Sequence, residues 1–547
     1  MKSSKKRAMA LLTAAILAAG FMSSCGSNPP ADPIATAESA IASESAGTVK
    51  TEPSGAVDSP AEPEAQTLKV LTMRWGDMGD SFKQNQWLID LEARVGVSIE
   101  WDARSDSDWA EQKALLIGSG TGLPDIFLGN ETIKDGDIIA NMDLFLPLDD
   151  LISQYMPKYQ AAIDAIPAFR DLTTFPDGTI RSFAKNLPCR PMTRNQPIIN
   201  KTWLDNLGLQ APTTIDELKA VLVAFKEQDA NGNGDPNDEI PFSFNGDIPV
   251  DLMNPFGVTD INTSRMSWIN GEFVYYPTSE SYKSAIKWIH ELWEAGVLDE
   301  EGFTQDWAMV NNKWQNADIN IVGLNFQWSV DAVTGQWNKE FVGIAPIKGP
   351  DGKQYAEGDW NGVYTIARNE AEITRDCTNP ELAARWLDEF YDSEASIQNF
   401  WGAIGTVITK NSDGTYTLNN PPEGTSADAW YWDQSLRDFG PKFIAPGFSD
   451  LIKLDMTSGD GAKLEMSKLA DPYIVDQYPL VIFTEEESEE LATLGADLDS
   501  YVSQSRIKWV TEGGIDEDWD AYLQQLKNMG LDRFVEIKMA ALARARG

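Results

Sequence analysis

Leu68-Lys69-Val70-Leu71-Thr72-Met73, Val97-Ser98-Ile99-Glu100-Trp101 and Pro124-Asp125-Ile126-Phe127-Leu128 decide the fold. Each is a short apolar or β-branched run, and helical stretches separate them: Ser81 to Val95, then Asp108 to Ile117. Strands alternating with helices predict a parallel α/β sheet. Ligands of open α/β sheets sit outside the carboxyl ends of the strands, so Arg74, Trp75, Asn130 and Glu131 are expected near a site.

Upstream, residues 1–24 read as an export signal. Lys2, Lys5, Lys6 and Arg7 precede an apolar run from Ala8 to Phe21 that is too short for a stable membrane span. Met22-Ser23-Ser24-Cys25 places small residues before a cysteine, as in a bacterial lipobox, so Cys25 is expected to be lipidated. Residues 25–66, rich in Pro, Ala, Ser and Glu, read as a disordered tether. The product is expected outside the cytoplasmic membrane, held by lipid alone.

Downstream, Pro197-Ile198-Ile199-Asn200 opens a second region. Thr214-Ile215-Asp216-Glu217 is a capping-box sequence, and Leu218, Val221, Leu222 and Phe225 follow at helical spacing. Strands are expected at Phe273–Tyr276, Ile319–Leu324, Phe341–Pro346 and Gly362–Ala367, with a helix from Ser281 to Glu294. Beyond Pro380 the chain reads as helical, interrupted by a hairpin at Val407 to Leu418. It closes with a helix carrying Trp519, Tyr522, Leu523 and Leu526 on one face, stopped at Gly530.

Composition removes several classes of function. The 547 residues carry 84 acidic and 44 basic side chains, a formal charge of −40 that repels nucleic acid and anionic lipid. One histidine, His290, leaves little room for triads or histidine-metal chemistry, and its mid-helix place reads as structural. Three cysteines are too few for a disulfide scaffold; Cys189 and Cys377 read either as a disulfide or as two free thiols.

Asp229-Ala230-Asn231-Gly232-Asn233-Gly234-Asp235-Pro236-Asn237-Asp238-Glu239 alternates oxygen side chains with glycines. Such a loop can wrap Ca²⁺, which takes about six to eight oxygens, or can be an Asx/Gly turn that binds nothing. The acids fall at the tenth and eleventh positions instead of the twelfth, so the strict EF-hand pattern is broken. As a cage it would use Asp229, Asn231, Asn233, Asp238 and Glu239 side chains and the Asp235 carbonyl, in a structural role.

Lys201-Thr202-Trp203-Leu204-Asp205-Asn206-Leu207-Gly208-Leu209, Ala211 to Leu218, this loop and Ile240-Pro241 together resemble the extracellular solute-binding proteins, family 1, of ABC importers. The similarity is to its large lipoprotein branch, which includes alginate-oligosaccharide-binding and LipO-type proteins. Asn379 to Leu387 and Asp518 to Leu531 extend it to the C-terminus. The resemblance implies a two-lobe α/β fold of the maltose-binding-protein type (type II), with a ligand cleft between lobes. It implies an N-lobe of 67–188 plus 347–404 and a C-lobe of 189–346 plus 405–547, with crossings near 186–199, 343–363 and 401–408. It also implies Asp229, Asn231, Asn233, Asp235, Asp238 and Glu239 as calcium ligands, although this loop is one residue longer before Asp238 than in the alginate binders.

Sugar sites combine aromatic platforms with fixed polar groups. Of 19 tryptophans, Trp203, Trp288, Trp293, Trp386 and Trp519 lie in helical patterns and are expected in the core. Trp75, Trp328, Trp360, Trp401, Trp430 and Trp432 are expected at cleft edges. Polar candidates are Asn130, Glu131, Arg190, Arg194, Asn245, Asp247, Gln327 and Asp359. The expected function is capture of a neutral oligosaccharide by a monomer that delivers it to the transmembrane subunits of an ABC permease, without catalysis. Alternatives are a peptide or other small solute on the same scaffold, or a lipid-anchored glycoside hydrolase with two acids about 5–9.5 Å apart.

Overall fold

A computed structural model describes residues 66–546 apart from 76–80, 189, 190, 192, 247–249, 260–263, 317, 331–334, 359–365, 424, 426 and 458. Cys25, Cys189, Arg190, Asp247, Asp359, Trp360, the export signal and the tether fall outside the described residues. Residues 64–547 form one compact unit. Among the described residues, no helix is long and apolar enough to cross a membrane.

The first sheet forms where the three quoted runs place it. Strand Gln66–Arg74 pairs in parallel with Val97–Ser105 along its length, Leu68 opposite Ile99, and with Ile126–Leu128, Val70 opposite Ile126. Both faces are covered, so Val70, Leu71, Thr72 and Met73 are all buried. Side-chain alternation sends Leu68, Val70, Ile126 and Leu128 to one core with Trp87, Leu88, Trp386 and Leu387. Leu71, Met73 and Phe127 point to the other face, against Trp109, Phe145, Trp432 and Phe439. Helix Gln86–Val95 stops at Gly96, whose φ of 72° suits glycine and lets its N–H reach the Glu92 carbonyl at 3.0 Å.

A fourth strand, Ala371–Ile373, runs antiparallel to Ile126–Leu128 and places Glu372 opposite Phe127. Glu372 is fully buried, and neither carboxylate oxygen has a hydrogen-bond partner among the described residues. Burial, reinforced by the charges of Glu370, Asp135 and Asp137, raises its pKa well above the ordinary 4.5. The native state therefore retains a proton that the unfolded chain releases, and stability falls as pH rises above about 4.5. Glu372→Gln is expected to raise the urea midpoint relative to the parent protein, and by more at pH 8 than at pH 4. An equal effect at both pH values would show that Glu372 is paired.

The second sheet orders strands Phe341–Gly343, Gln196–Asn200, Val322–Gln327 and Ile240–Phe242. Gln196–Asn200 is antiparallel to both of its neighbours, while Ile240–Phe242 is parallel to Val322–Gln327. The strand expected at 319–324 starts three residues later, because Asn320 Oδ1 accepts from Val322 N at 3.2 Å and holds the chain in a turn until then. Helix Ile215–Glu227 buries Leu218, Val221, Leu222 and Phe225 as its spacing requires. Its capping box is half made. Thr214 Oγ1 accepts from Glu217 N, but the Glu217 carboxylate reaches Thr213 N at 2.8 Å instead of Thr214.

Helix Glu280–Glu294 packs against the C-terminal helices Glu485–Glu512, Ile515–Asn528 and Leu531–Arg546 in one core with Trp203, Trp288, Trp509, Trp519 and Tyr522. Tyr522 stacks on Trp519 at 5.5 Å. Leu523 is only partly buried beside them. The hairpin Ile408–Lys410 and Tyr416–Leu418 forms with Ile408 opposite Leu418.

The chain after 405 does not stay with the second core. Leu436 packs in the first core, Trp432 and Phe439 pack on the first sheet's other face, and Lys442–Phe443 pairs with Lys185–Asn186. Apolar helix faces follow the nearest uncovered sheet surface, which contact-free sequence cannot reveal. Cys377 is a buried free thiol, and burial pushes it up to about 12.

Candidate functional site

At the carboxyl end of the first sheet, strand Gln66–Arg74 hands over from a buried Arg74 to a Trp75 that is 39% exposed. Arg74 lies between the Phe82 and Trp432 rings, 4.5 and 5.4 Å from their centroids, and donates to the Trp432 carbonyl at 2.6 Å. Burial lowers the guanidinium to about 10 against the opposing charge of Asp433. Arg74 thus braces the floor under Trp75 and is not itself exposed. The Trp75 ring lies 6.1 Å from Phe439. After strand Ile126–Leu128, Gly129 turns with φ 100°, and a Cβ there would meet Phe439 at 3.0 Å. That close approach brings half-buried Asn130 and Glu131 to the same sheet edge.

Three expected tryptophans sit elsewhere. Trp401 is buried at the end of helix Ser393–Trp401, its ring 4.6 Å from Phe400 and 5.2 Å from Phe448, so it is a core residue. Trp430 and Trp432 belong to helix Ala427–Gln434 instead of a loop. Trp432 is buried against Phe439 and Arg74, while half-buried Trp430 packs beside Val407, Ala427 and Tyr431. Aromatic density in a short segment between Pro and Gly reads as loop, yet here it supplies the buried side of a helix.

At the second sheet, Ile240–Phe242 ends opposite Leu324, and parallel strand Val322–Gln327 runs three residues further. Beyond them stand exposed Asn245 and half-buried Trp328. Gln327 is buried as the last strand residue. Lys463 Nζ lies 4.4 Å from the Trp328 ring centroid, and Lys463 is fully buried. The same ammonium donates to the Arg194 carbonyl and lies 3.5 Å from Gln196 Oε1. Burial raises the Asp251 carboxyl and outweighs the lowering charges of Arg194 and Lys463 nearby. Lys463 was not legible as a site residue, since it comes from helix Gly459–Ser467, over 130 residues from Trp328.

A cleft of about 460 Å³ adjoins Asn130 and Glu131 and is walled by Arg265, Arg368, Phe483 and Lys538. Three of its cations are paired with acids, and Lys538 lies over the Tyr478, Phe483 and Phe534 rings. Arg368 Nε donates to Asp135 Oδ1 at 2.7 Å, Arg265 pairs with Asp499 at 2.7 Å, and Lys134 with Glu131 at 2.6 Å. Burial acts to raise Asp135, but the charge and hydrogen bonds of Arg368, with Asn369, hold it below the usual carboxylate range. Pairing of this kind mutes the field of the wall.

The Asp229–Glu239 loop folds on its own oxygens. Asp238 accepts from Asn231 Nδ2 at 2.9 Å and Asn233 Nδ2 at 2.6 Å, and Asp229 Oδ2 accepts from Gly234 N at 2.8 Å. Glu239 Oε1 accepts from Ala230 N at 2.9 Å, and Asp235 Oδ1 from Asn237 N at 3.1 Å. Asp229 Oδ1 and Glu239 Oε2 are buried with no donor among the described residues. Among the described residues, no three Asp, Glu, His or Cys side chains converge as a closed metal cluster. The two orphaned carboxylate oxygens nevertheless fit a hard cation, because a buried anionic oxygen without a partner is costly.

A family model described as bacterial extracellular solute-binding protein matches residues 75–397. The chain is 32% identical over 497 residues to the fructooligosaccharide ABC transporter substrate-binding protein FusA of Streptococcus pneumoniae serotype 4 (strain ATCC BAA-334 / TIGR4), across 87% of this chain and 90% of that protein. The structure of S. pneumoniae FusA in complex with kestose superposes with a TM-score of 0.77 at 30% identity, across 88% of this chain and 99% of that one. A FusA EF-hand mutant in complex with fructo-nystose gives the same values. The HMO-binding ABC-transporter-associated solute-binding protein of Bifidobacterium longum infantis ATCC 15697 superposes at 0.70 with 26% identity, across 88% of this chain and 99% of that one.

Proposed function

The chain belongs to the bacterial extracellular solute-binding proteins, and from that premise we propose that it is the binding component of an ABC importer that captures a neutral oligosaccharide between two lobes. The observation that carries this reading is the pair of partly exposed indoles, Trp75 and Trp328, one outside the carboxyl ends of each sheet's parallel strands. Sugars present flat apolar faces to such rings and polar edges to groups such as Asn130 and Asn245. A formal charge of −40 favours an uncharged glycan over a uronate polymer. FusA binds kestose and fructo-nystose in its solved structures, which supports fructan-type oligosaccharides as the first ligands to try.

The first lobe would be built on residues 66–188 and 366–443, which supply the first sheet and the cores on its two faces, and the second on the remainder. Asp229, Asn231, Asn233, Asp235, Asp238 and Glu239 would hold a structural Ca²⁺, supported by the two orphaned oxygens and by the FusA EF-hand mutant. Residues 1–24 would direct export and Cys25 would carry the lipid that tethers the protein beside its permease. The protein binds without turnover on this reading, and the cleft acids Glu131, Asp135 and Asp499 are each paired with a cation.

Thermal unfolding across a panel of inulin-type, galacturonate and human-milk oligosaccharides, with chromatography of the recovered sugar, tests the proposal. A ligand that binds only the folded state must raise the midpoint. The expected result is a shift with neutral glycans, none with galacturonates, and no cleavage products. Shifts confined to galacturonates, no shift with any glycan, or sugar consumed during the assay would remove the neutral-oligosaccharide reading.

A further inference from the structure

We propose that Trp307 is an outer aromatic platform, stacking on a sugar unit of oligosaccharides too long for the ground between Trp75 and Trp328. The inference rests on the oligosaccharide reading above and extends its site sideways along the second sheet. Trp307 is 45% exposed, whereas Trp203, Trp314, Trp386, Trp401 and Trp509 are each below 2%. Among the described residues, no hydrogen bond or ring contact engages its indole.

The exposure is not looseness, because the backbone beneath it is fixed from three sides. Asp306 Oδ1 caps helix Trp307–Trp314 by accepting from Met309 N at 2.8 Å. Fully buried Val310 and Trp314 hold the inward face of that helix in the core. Gln305, itself buried, donates to the Phe244 carbonyl, to Asp299 Oδ2 at 3.0 Å and to Ser243 Oγ at 3.3 Å. Lys313 closes the same network on Asp299 at 2.7 Å. A fixed backbone leaves only the side-chain rotamers of Trp307 to be ordered on binding.

Its position follows from the Gln305 anchor. Phe244 precedes Asn245, beyond the end of edge strand Ile240–Phe242. That strand lies one spacing, about 4.8 Å, from the strand that Trp328 follows. Trp328, Asn245 and the Trp307 segment therefore succeed one another outward across the carboxyl edge of the sheet. A chain of sugars starting over Trp328 and running outward would reach Trp307 within a few units.

Calorimetric titration of the full-length protein and its Trp307→Ala and Trp307→Phe variants with an inulin-type ladder of increasing length is the test. Trp307→Ala is expected to weaken the longest members about tenfold and to leave the shortest bound member within twofold. Trp307→Phe should recover most of the loss, with unchanged melting midpoints for both variants. Equal weakening at every length would make Trp307 a structural residue, and unchanged affinity at every length would exclude the platform. Unchanged affinities with slower uptake through the permease would reassign Trp307 to transporter contact. A parent protein that binds no member of the ladder, or any other glycan, would refute the oligosaccharide reading itself, and this inference with it.

Discussion

Trp328→Ala is expected to weaken oligosaccharide binding by roughly thirtyfold while leaving the melting midpoint nearly unchanged. The indole follows strand Val322–Gln327 directly, so its backbone is set by the sheet. Lys463 Nζ, 4.4 Å from the ring centroid, fixes the plane through the ring's negative face. A tryptophan held in that way behaves as a binding hot spot, whose truncation costs about 2 kcal/mol or more, and about 1.4 kcal/mol is tenfold in affinity. Trp328→Phe should retain most of the binding, since it keeps a ring over which the ammonium can sit. Calorimetric titration with the glycan that gives the largest thermal shift measures all three proteins. A Trp328→Ala variant within twofold of the parent would place the sugar elsewhere.

The second large effect concerns the Asp229–Glu239 loop. Calcium added to EDTA-treated protein is expected to raise the unfolding midpoint. A Kd one-hundredth of the free ion concentration corresponds to about 2.7 kcal/mol, and one-thousandth to about 4.1 kcal/mol. The double change Asp229→Asn, Glu239→Gln removes the charge of both carboxylates that hold orphaned oxygens, and should abolish the response to calcium and to EDTA alike. In the absence of the ion the variant should melt no lower than the EDTA-treated parent, because it no longer buries those charges unpaired. A parent indifferent to calcium, or a variant that still responds, would make this loop an ordinary Asx/Gly turn.

Much of the fold could be read from local pattern because local physics determined it. The apolar runs at Val70, Ile99 and Ile126 became the parallel sheet, and the spacing of Leu218, Val221, Leu222 and Phe225 became a buried helix face. Strand Ala371–Ile373 was invisible because its middle residue is Glu372, an acid that only burial beside Phe127 turns into a strand residue. Strand Val322–Gln327 was displaced because the Asn320 turn overrides the apolar run before it. At the candidate site, strand-end logic expected Trp75, Asn130 and Trp328, and each lies just past a strand, but local aromatic density mistook Trp401 and Trp432 for surface. Lys463 and the Trp307 anchor depend on contacts between segments far apart in the chain, for which one sequence holds no periodicity.

The first sheet has one more consequence, and it concerns time. Its strand Ile126–Leu128 waits for Ala371–Ile373, and its two faces wait for Trp386, Leu436 and Phe439. Closing a loop of more than two hundred residues before any pairing is rewarded makes folding slow. No N-terminal half can shut by itself while the rest is being made. A polypeptide wired in this order stays open until residues as late as Phe439 have emerged.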